Sequence, residues 1–343
     1  MDVLPQLSLK AKDGDVPSLD IKDRKILFLL SLDARTPLTQ IAKRVNLSRD
    51  AVKYRVDGYQ KAGVLNGTVT VVDVAKLGYH AYHIFVRLNS LSKEAERSLI
   101  NDICTMPCVR AVLRFFGSYD LEIAVIAKNL GQFDQILTDI ASKFGRFIRD
   151  YEIMIIAKTY ASGAFPKNFF NRLRQEETVF GVKKAKKQEY LPDKKDMEIV
   201  KSIRDDARLP LTDISRAVDL STDAVSYRIK RLMDNVIISF NPVINYKKIG
   251  YTVHALLFNI SPLDKESEKR LHTFLSNDEG ILWAVKTIGR FNVLAYTCTR
   301  SETELQDMVN RLREEFPEEI KRQESLLAFE EYKYTYAPDC LFD

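Results

Sequence analysis

The sequence predicts an α+β chain of two similar halves, each a three-helix unit followed by an antiparallel sheet that carries helices. Three observations predict it. First, DARTPLTQIAKRVNLSRDAVKYRV (Asp33 to Val56) aligns without a gap to DARLPLTDISRAVDLSTDAVSYRI (Asp206 to Ile229), with 15 of 24 positions identical. Second, the apolar residues in and before each phrase recur at helical spacing. Third, the stretch after each phrase alternates period-two and helical segments in the order βαββαβ.

In chain order, MDVLPQLSLKAKDGDVPS (1–18) has no compact apolar core with a cleavage site, so a disordered lead-in is expected rather than a signal peptide. Asp20 opens a first helix expected to end near Asp33. Pro37 starts a second, with Leu38, Ile41, Ala42 and Val45 facing a core. Asn46 and Leu47 turn the chain, and Ser48 caps a third helix through its hydroxyl. Val52, Val56 and Tyr59 face inward there, which leaves Arg49, Lys53, Tyr54 and Asp57 outward. Gly63 is expected to end this helix in the left-handed conformation, with Asn235 in the same role in the second copy. A linking strand is expected over Thr68 to Val74.

The first βαββαβ unit is expected as strands Tyr82 to Leu88, Val109 to Phe116, Asp120 to Ala127 and Phe147 to Ala157, with helices Ser92 to Ile103 and Gln132 to Phe144. The second repeats it 172 residues on: strands near Val253 to Ile260, Ile281 to Ile288, Asn292 to Thr299 and Lys321 to Tyr336, helices near Lys265 to Ser276 and Glu302 to Phe316. Residues 158–191 read as a basic linker with eight basic and three acidic residues. Its densest run is Lys183, Lys184, Lys186 and Lys187, either a solvated segment or a phosphate contact. The expected division is head one at 19–67, its sheet unit at 68–157, head two at 192–240, its sheet unit at 241–336, and a tail at 337–343.

Composition bounds the function. The 343 residues include 52 basic and 47 acidic ones, net +5, which permits a nucleic-acid partner without demanding one. No apolar run reaches about 18 residues, so no membrane span is expected. Cys104, Cys108, Cys298 and Cys340 are few and unpatterned, which suits a reduced, cytoplasmic setting. His80, His83, His254 and His272 have no carboxylate or thiol partners at ligand spacing, so no metal is expected. No phosphate-cradling glycine loop appears, and no cofactor is expected.

The phrases LDIKDRKILFLL, DARTPLTQIAKRVNLS, AGVLNGTVTVVD and FFGSYDLEIAV, in that order, resemble the Lrp/AsnC (feast/famine) transcription regulators. The resemblance covers Leu19 to about Ala157 and again Pro192 to about Tyr336, so the chain resembles two family units fused in tandem. It implies two winged-type helix-turn-helix domains alternating with two ferredoxin-like βαββαβ (RAM) domains. It also implies a sequence-specific regulator of double-stranded DNA at the nucleoid. Departures exist. Pro37 and Pro210 stand where the family usually has Ser or Thr. The family's Gly-x-Tyr-Asp turn is Gly117, Ser118, Tyr119, Asp120 in the first copy but Gly289, Arg290, Phe291, Asn292 in the second.

A recognition helix places polar side chains of its N-terminal half on base edges while its neighbours hold phosphates. The DNA-binding candidates are Ser48, Arg49, Asp50, Lys53, Tyr54 and Arg55 in the first head. In the second they are Ser221, Thr222, Asp223, Ser226, Tyr227, Arg228, Lys230 and Arg231. Alternatively, Asp50 and Asp223 only cap, and Arg55 and Arg228 pair with Asp23 and Asp196 inside each head. Leu19 to Asn66 holds ten basic and five acidic residues, net +5; Pro192 to Ser239 holds nine of each, net zero. The first head is therefore expected to dominate affinity. The resemblance further implies a small-molecule effector, often an amino acid, near Gly117, Tyr119 and Asp120; otherwise Gly117 simply serves a hairpin and Tyr119 packs.

Two other readings stand beside the regulator. Siroheme decarboxylases share the two-domain plan and occur as fused pairs, but the His and the Trp-Pro-Tyr-Asn-like phrase of their catalytic strands are missing from VRAVLRFFGSYDLEIAV and ILWAVKTIGRFNVLAYT. An architectural DNA coat is the third. For assembly, the helix-free face of each sheet must be covered. Either the two sheets of one chain pack together as an internal pseudo-dimer, with recognition helices about 34 Å apart, or copies pair between chains as a homo-oligomer with four heads.

Overall fold

A computed structural model describes Gln6, residues 17–170 and residues 190–343. The lead-in expected over 1–18 (apart from Gln6, 17 and 18) and the run Lys183, Lys184, Lys186 and Lys187 lie outside the described residues. Among the described residues no helix is long and apolar enough to cross a membrane.

Each half opens with three helices: α1 (Ile21–Leu32), α2 (Leu38–Val45) and α3 (Arg49–Lys61) in the first. The strand β1 (Leu65–Val72) follows. Then come β2 (His80–Leu88), α4 (Lys93–Thr105), β3 (Val109–Phe116), β4 (Leu121–Ala127), α5 (Leu130–Phe144) and β5 (Ile148–Ser162). The second half repeats the set: α6 (Lys194–Ile203), α7 (Leu211–Val218), α8 (Thr222–Asn235), β6 (Ile237–Ile244), β7 (Thr252–Ile260), α9 (Lys265–Asn277), β8 (Ile281–Ile288), β9 (Val293–Thr299), α10 (Glu302–Glu315) and β10 (Ile320–Tyr334).

Within each half the sheet runs β5-β2-β4-β3 or β10-β7-β9-β8, the ferredoxin-like order, with its helices on one face. The helix-free faces meet because the last strand of each half is long. β5 pairs with β2 up to Ile155, then with β8 of the other half from Ile155 to Ser162. β10 pairs with β7 up to Leu327, then with β3 from Leu327 to Tyr334. The two handover residues, Ile155 and Leu327, are 172 positions apart, the spacing of the repeat. Eight strands thus close into one barrel that leaves none of them as a free edge. The chain is its own pseudo-dimer.

The barrel interior combines Phe85, Leu113 and Phe115 of one half with Leu257, Trp283, Val285 and Leu294 of the other. Burying each such side chain contributes roughly 1.5–3 kcal/mol. A polar trio sits among them: His83 Nδ1 is hydrogen-bonded to one oxygen of Glu122, and the Tyr296 hydroxyl donates to the other. Burial, and then the Glu122 carboxylate, push the Tyr296 hydroxyl far above its ordinary pKa.

The heads cross over. Head one (α1 to α3) shares a core with Ile244, Tyr246 and Ile249 of the second half, and head two (α6 to α8) with Val72, Val74 and Tyr79 of the first. The exchange follows from β1 and β6, which pair antiparallel with each other. Each barrel half also ends in a hook. Residues 163–170 pack Phe165, Phe169 and Phe170 beneath Phe28 of α1, and residues 335–343 lie beneath α6.

Several expectations need correction. β5 runs to Ser162, and Phe165, Phe169 and Phe170 are buried, so the first part of the expected linker 158–191 belongs to the barrel and its hook. Pairing with β8, invisible in local sequence, supplies the extra strand length. The expected tail 337–343 folds as a 3-10 turn with Cys340 and Leu341 buried. β1 begins at Leu65, and Val74 enters a 3-10 turn instead of the strand. Pro37 and Pro210 stand at the N-cap, one place before the helix. Asn235 is not left-handed: it is the last helical residue, and its amide donates to the Arg231 carbonyl at 2.8 Å. Among the described residues the non-glycine left-handed ones are Asn46 and Asp219, in the turns between second and third helices. His83 has a carboxylate partner after all, from a neighbouring strand.

The buried trio is testable. His83→Ala should destabilise the chain by about 3–5 kcal/mol, because Glu122 loses a partner inside the core. Tyr296→Phe should cost about 1–3 kcal/mol, one donor to a buried acceptor. Urea denaturation measures both; losses under about 0.5 kcal/mol for each would mean the trio is not held as described.

Candidate nucleic-acid interface

In both heads a left-handed residue breaks the chain after the second helix, and a serine then starts the third. Ser48 Oγ accepts from the Ala51 amide at 3.1 Å and Ser221 Oγ from the Ala224 amide at 3.2 Å. A lysine of the first helix locks the turn: Lys22 Nζ donates to the Val45 carbonyl and Lys195 Nζ to that of Val218, each at 2.6 Å.

The outward face of α3 carries Arg49, Asp50, Lys53 and Tyr54, all exposed; Tyr54 has 81% of its surface accessible. Arg49 approaches Asp50 at 3.3 Å, and Lys53 pairs with Asp57 at 2.6 Å. Such exposed pairs contribute little and yield readily to phosphate. The outward face of α8 carries Thr222, Asp223, Tyr227, Lys230 and Arg231, with Ser226 half-buried. Arg231 stacks on Tyr190, its guanidinium 4.2 Å from the ring centre.

Arg55 and Arg228 are placed differently from their neighbours. Arg55 reaches Asp20 at 2.9 Å and Asp23 at 2.5 Å; Arg228 reaches Asp193 and Asp196, each at 2.7 Å. Both tie the third helix to the capping box of the first. Their guanidiniums are thus committed inside the heads, the second of the two placements the sequence left open. A tyrosine completes each cluster. In head one the Tyr59 hydroxyl donates to Asp23 at 2.6 Å; in head two Tyr190, ahead of α6, donates to Asp196. Sequence reasoning missed Tyr190, since it comes from outside the repeated phrase.

The heads hold each other. Arg35 donates to the carbonyls of Ala207 and Leu209, and Arg208 to those of Ala34 and Thr36. The Ala34 amide donates to Phe240 of β6 at 2.8 Å, and the Ala207 amide to Thr68 of β1 at 3.1 Å. Burial lowers both guanidinium pKa values. The repeated Asp-Ala-Arg in front of each second helix is the signal that could have revealed this clamp.

The candidate effector turn lies at the seam of the barrel halves. Gly117 has φ +150°, and a Cβ there would stand 2.8 Å from Leu326 Cδ2 of the other half. At Gly289, φ +158°, it would stand 2.5 Å from the Ile153 carbonyl oxygen. Tyr119 is buried under the Arg87 guanidinium, 4.5 Å from its ring centre. Asp120 Oδ2 accepts from the Leu88 amide at 2.7 Å, and Asn292 Oδ1 from the Ile260 amide at 2.8 Å. Both side chains accept from the backbone at the end of a strand, and Asn292 adds a bond from its amide to the Ile260 carbonyl at 2.6 Å.

Residues 19–59 match the AsnC-type helix-turn-helix domain, and residues 192–237 the winged helix-turn-helix DNA-binding domain. The chain thus carries two such domains in tandem and is similar to regulators of the Lrp/AsnC type. It is similar to the regulatory protein AsnC of Haemophilus influenzae, 27% identical over 120 residues, 35% of this chain and 79% of that one. The proline dehydrogenase transcriptional activator of Rhodobacter capsulatus is also 27% identical over 120 residues, 35% of this chain and 78% of that one. The transcriptional regulator LrpA of Pyrococcus horikoshii is 43% identical over 61 residues, 18% of this chain and 43% of its own length. Among solved structures, the siroheme decarboxylase NirDL superposes with a TM-score of 0.61 over 91% of this chain and 92% of its own, at 12% identity. That likeness is one of fold: the paired, fused architecture occurs in both.

Arg228 gives a test with a pH signature. Its hydrogen bond holds the Asp193 carboxyl below the usual carboxylate range. A depressed carboxyl stabilises the fold above its unfolded pKa of about 3.9 and stops doing so as pH falls through the lower folded value. The wild type should therefore lose this contribution below about pH 4, whereas Arg228→Ala lacks it at every pH. Near neutral pH the variant should lose about 3–5 kcal/mol, because Asp196 is left buried. Urea unfolding at several pH values measures both effects.

Proposed function

We propose that the chain is a sequence-specific, DNA-binding transcription regulator that acts by binding rather than by catalysis. The observation that carries this is the pair of exposed third helices, each capped and braced in the same way and held in one arrangement by the Arg35 and Arg208 clamp. The heads are assigned to 19–64 and 192–236, and the effector and oligomerisation halves, with their linking strands and hooks, to 65–170 and 237–343. Arg49 and Lys53 would contact DNA in head one, alongside Ser48, Asp50 and Tyr54. Thr222, Ser226, Tyr227 and Lys230 would do so in head two, alongside Ser221, Asp223 and Arg231. The setting would be the cytoplasm, at the nucleoid.

The charge asymmetry makes head one the grip, since phosphate neutralisation supplies most non-specific affinity. Replacing Arg49 and Lys53 together by alanine should weaken binding at least about tenfold and flatten the salt slope by about two. Replacing Thr222 and Ser226 should leave the slope unchanged. Equal losses in a salt-titrated binding assay would refute the division of labour. Because the heads differ at Arg49 against Thr222 and Lys53 against Ser226, sequences selected from a random pool should be non-palindromic. A long, sequence-indifferent footprint would favour a DNA coat instead.

An amino-acid effector near Gly117, Tyr119 and Asp120 rests on the family resemblance of that turn. Calorimetry with the common amino acids tests it; no heat from any of them would leave the turn a structural element. The enzyme reading has the barrel trio in its favour, since His, Glu and Tyr in contact form an acid–base group. Their side chains are at most 2% exposed, which favours a structural role. Titration with siroheme tests it: no absorbance shift is expected, and a shift would revive the enzyme reading.

A further inference from the structure

The two hooks after the barrel are pseudo-equivalent in place, and one of their differences brings thiols into the second. In the first, the Lys167 amide donates to the Glu279 carbonyl at 3.0 Å and the Tyr251 hydroxyl to the Asn168 side chain at 2.8 Å. In the second, the Cys340 amide donates to the Pro107 carbonyl at 3.2 Å and the Tyr79 hydroxyl to the Cys340 carbonyl at 2.8 Å. By the 172-residue offset, Cys340 stands where the first hook has Asn168, and Cys108 where it has Gly280. The second hook alone therefore places two thiols together. Cys340 is tied by its amide to the residue before Cys108, and both side chains pack in one apolar cluster, with Cys108 half-buried and Cys340 buried.

We propose that Cys108 and Cys340 form a reversible disulfide that clasps the C-terminal hook, and with it the second head, to the first barrel half. The hook is well placed for this. Arg204 of head two reaches Asp339 at 2.6 Å and the Ala337 carbonyl at 3.2 Å, and Lys201 and Arg204 both stack on Phe342. On its other side the hook touches the first half through Pro107, Cys108 and Tyr79. One covalent bond between 108 and 340 thus joins three parts of the molecule.

The hydrogen bond from Cys340 lowers the Cys108 thiol pKa, with Lys128 and Lys333 adding to the effect, which marks Cys108 as the attacking sulfur. The oxidant is a hydroperoxide. The Cys108 thiolate attacks its O–O bond, Cys108 becomes a sulfenic acid, and an alcohol (water, for hydrogen peroxide) leaves. Cys340 then attacks the sulfenic sulfur, its thiol proton leaves with the hydroxyl as water, and the S–S bond forms. A dithiol reverses the step by exchange and is itself oxidised to a disulfide.

The test treats the full chain with hydrogen peroxide and maps its peptides by mass spectrometry. The expected product is a Cys108–Cys340 cross-link, two hydrogen atoms lighter, reversed by dithiothreitol and missing in Cys108→Ser and Cys340→Ser. Hydrogen exchange within 335–343 should slow about tenfold on oxidation in the wild type and not in either variant. A Cys104–Cys108 cross-link, or over-oxidation of Cys108 with Cys340 left as a thiol, would overturn the proposal, as would no oxidation at either site. Neither readout uses DNA, so failure here leaves the regulator reading intact.

Discussion

The constraint behind this structure is the bare face of a ferredoxin-like sheet. Two helices cover one side, and the other must find apolar cover or be lost to aggregation. Here the cover is the second copy, and the device that secures it is strand length. β5 and β10 each run 15 residues, roughly 50 Å when extended, far longer than one four-stranded sheet requires. Their first halves complete their own sheets and their second halves complete the other's. Once those strands have crossed, the hooks must emerge on the far half, and each head finds its core there. Closure, head exchange and hooks are consequences of one exchange of strands. Covalent linkage makes it intramolecular, so it proceeds at a high effective concentration.

Much of this was legible in the sequence, and what was missed has a physical pattern. The repeat, the capping serines, the helical spacing and the βαββαβ order are local signals, and they located the elements. The overrun of β5 past Ala157 was not legible, because the partner that extends it lies more than a hundred residues away in β8. Glu122 was not legible as a core residue either. In LEIAVIA it occupies the alternate face, which local pattern assigns to solvent but which here lines the barrel. The same error hid His83. Cys108 and Cys340 lie 232 positions apart and come together only because the second hook folds back on the first half.

The site shows the same division. The outward positions of each third helix could be read from periodicity, since they depend only on helix phase. Whether a cation is available depends on its neighbours. Arg55 and Arg49 look alike in sequence, yet Arg55 is spent on a buried carboxylate and Arg49 is not. Tyr59 and Tyr190 make the same point from the other side. They occupy different places in the chain and donate to the same carboxylate of their respective heads.

These features together constrain how the two heads can have diverged. The bracing of each head is duplicated: Arg55 with Asp23, Arg228 with Asp196, and the reciprocal arginines between the loops. That scaffold fixes where each recognition helix points and leaves its surface chemistry unconstrained. A head that shed its cations while standing alone would bind weakly, since phosphate contact supplies the grip. Clamped to a basic neighbour, it is carried to the DNA with it and pays little extra entropy to engage. Under the proposed function, rigid coupling would let a neutral second head engage DNA, with the brace doubled and the reading surface free to differ.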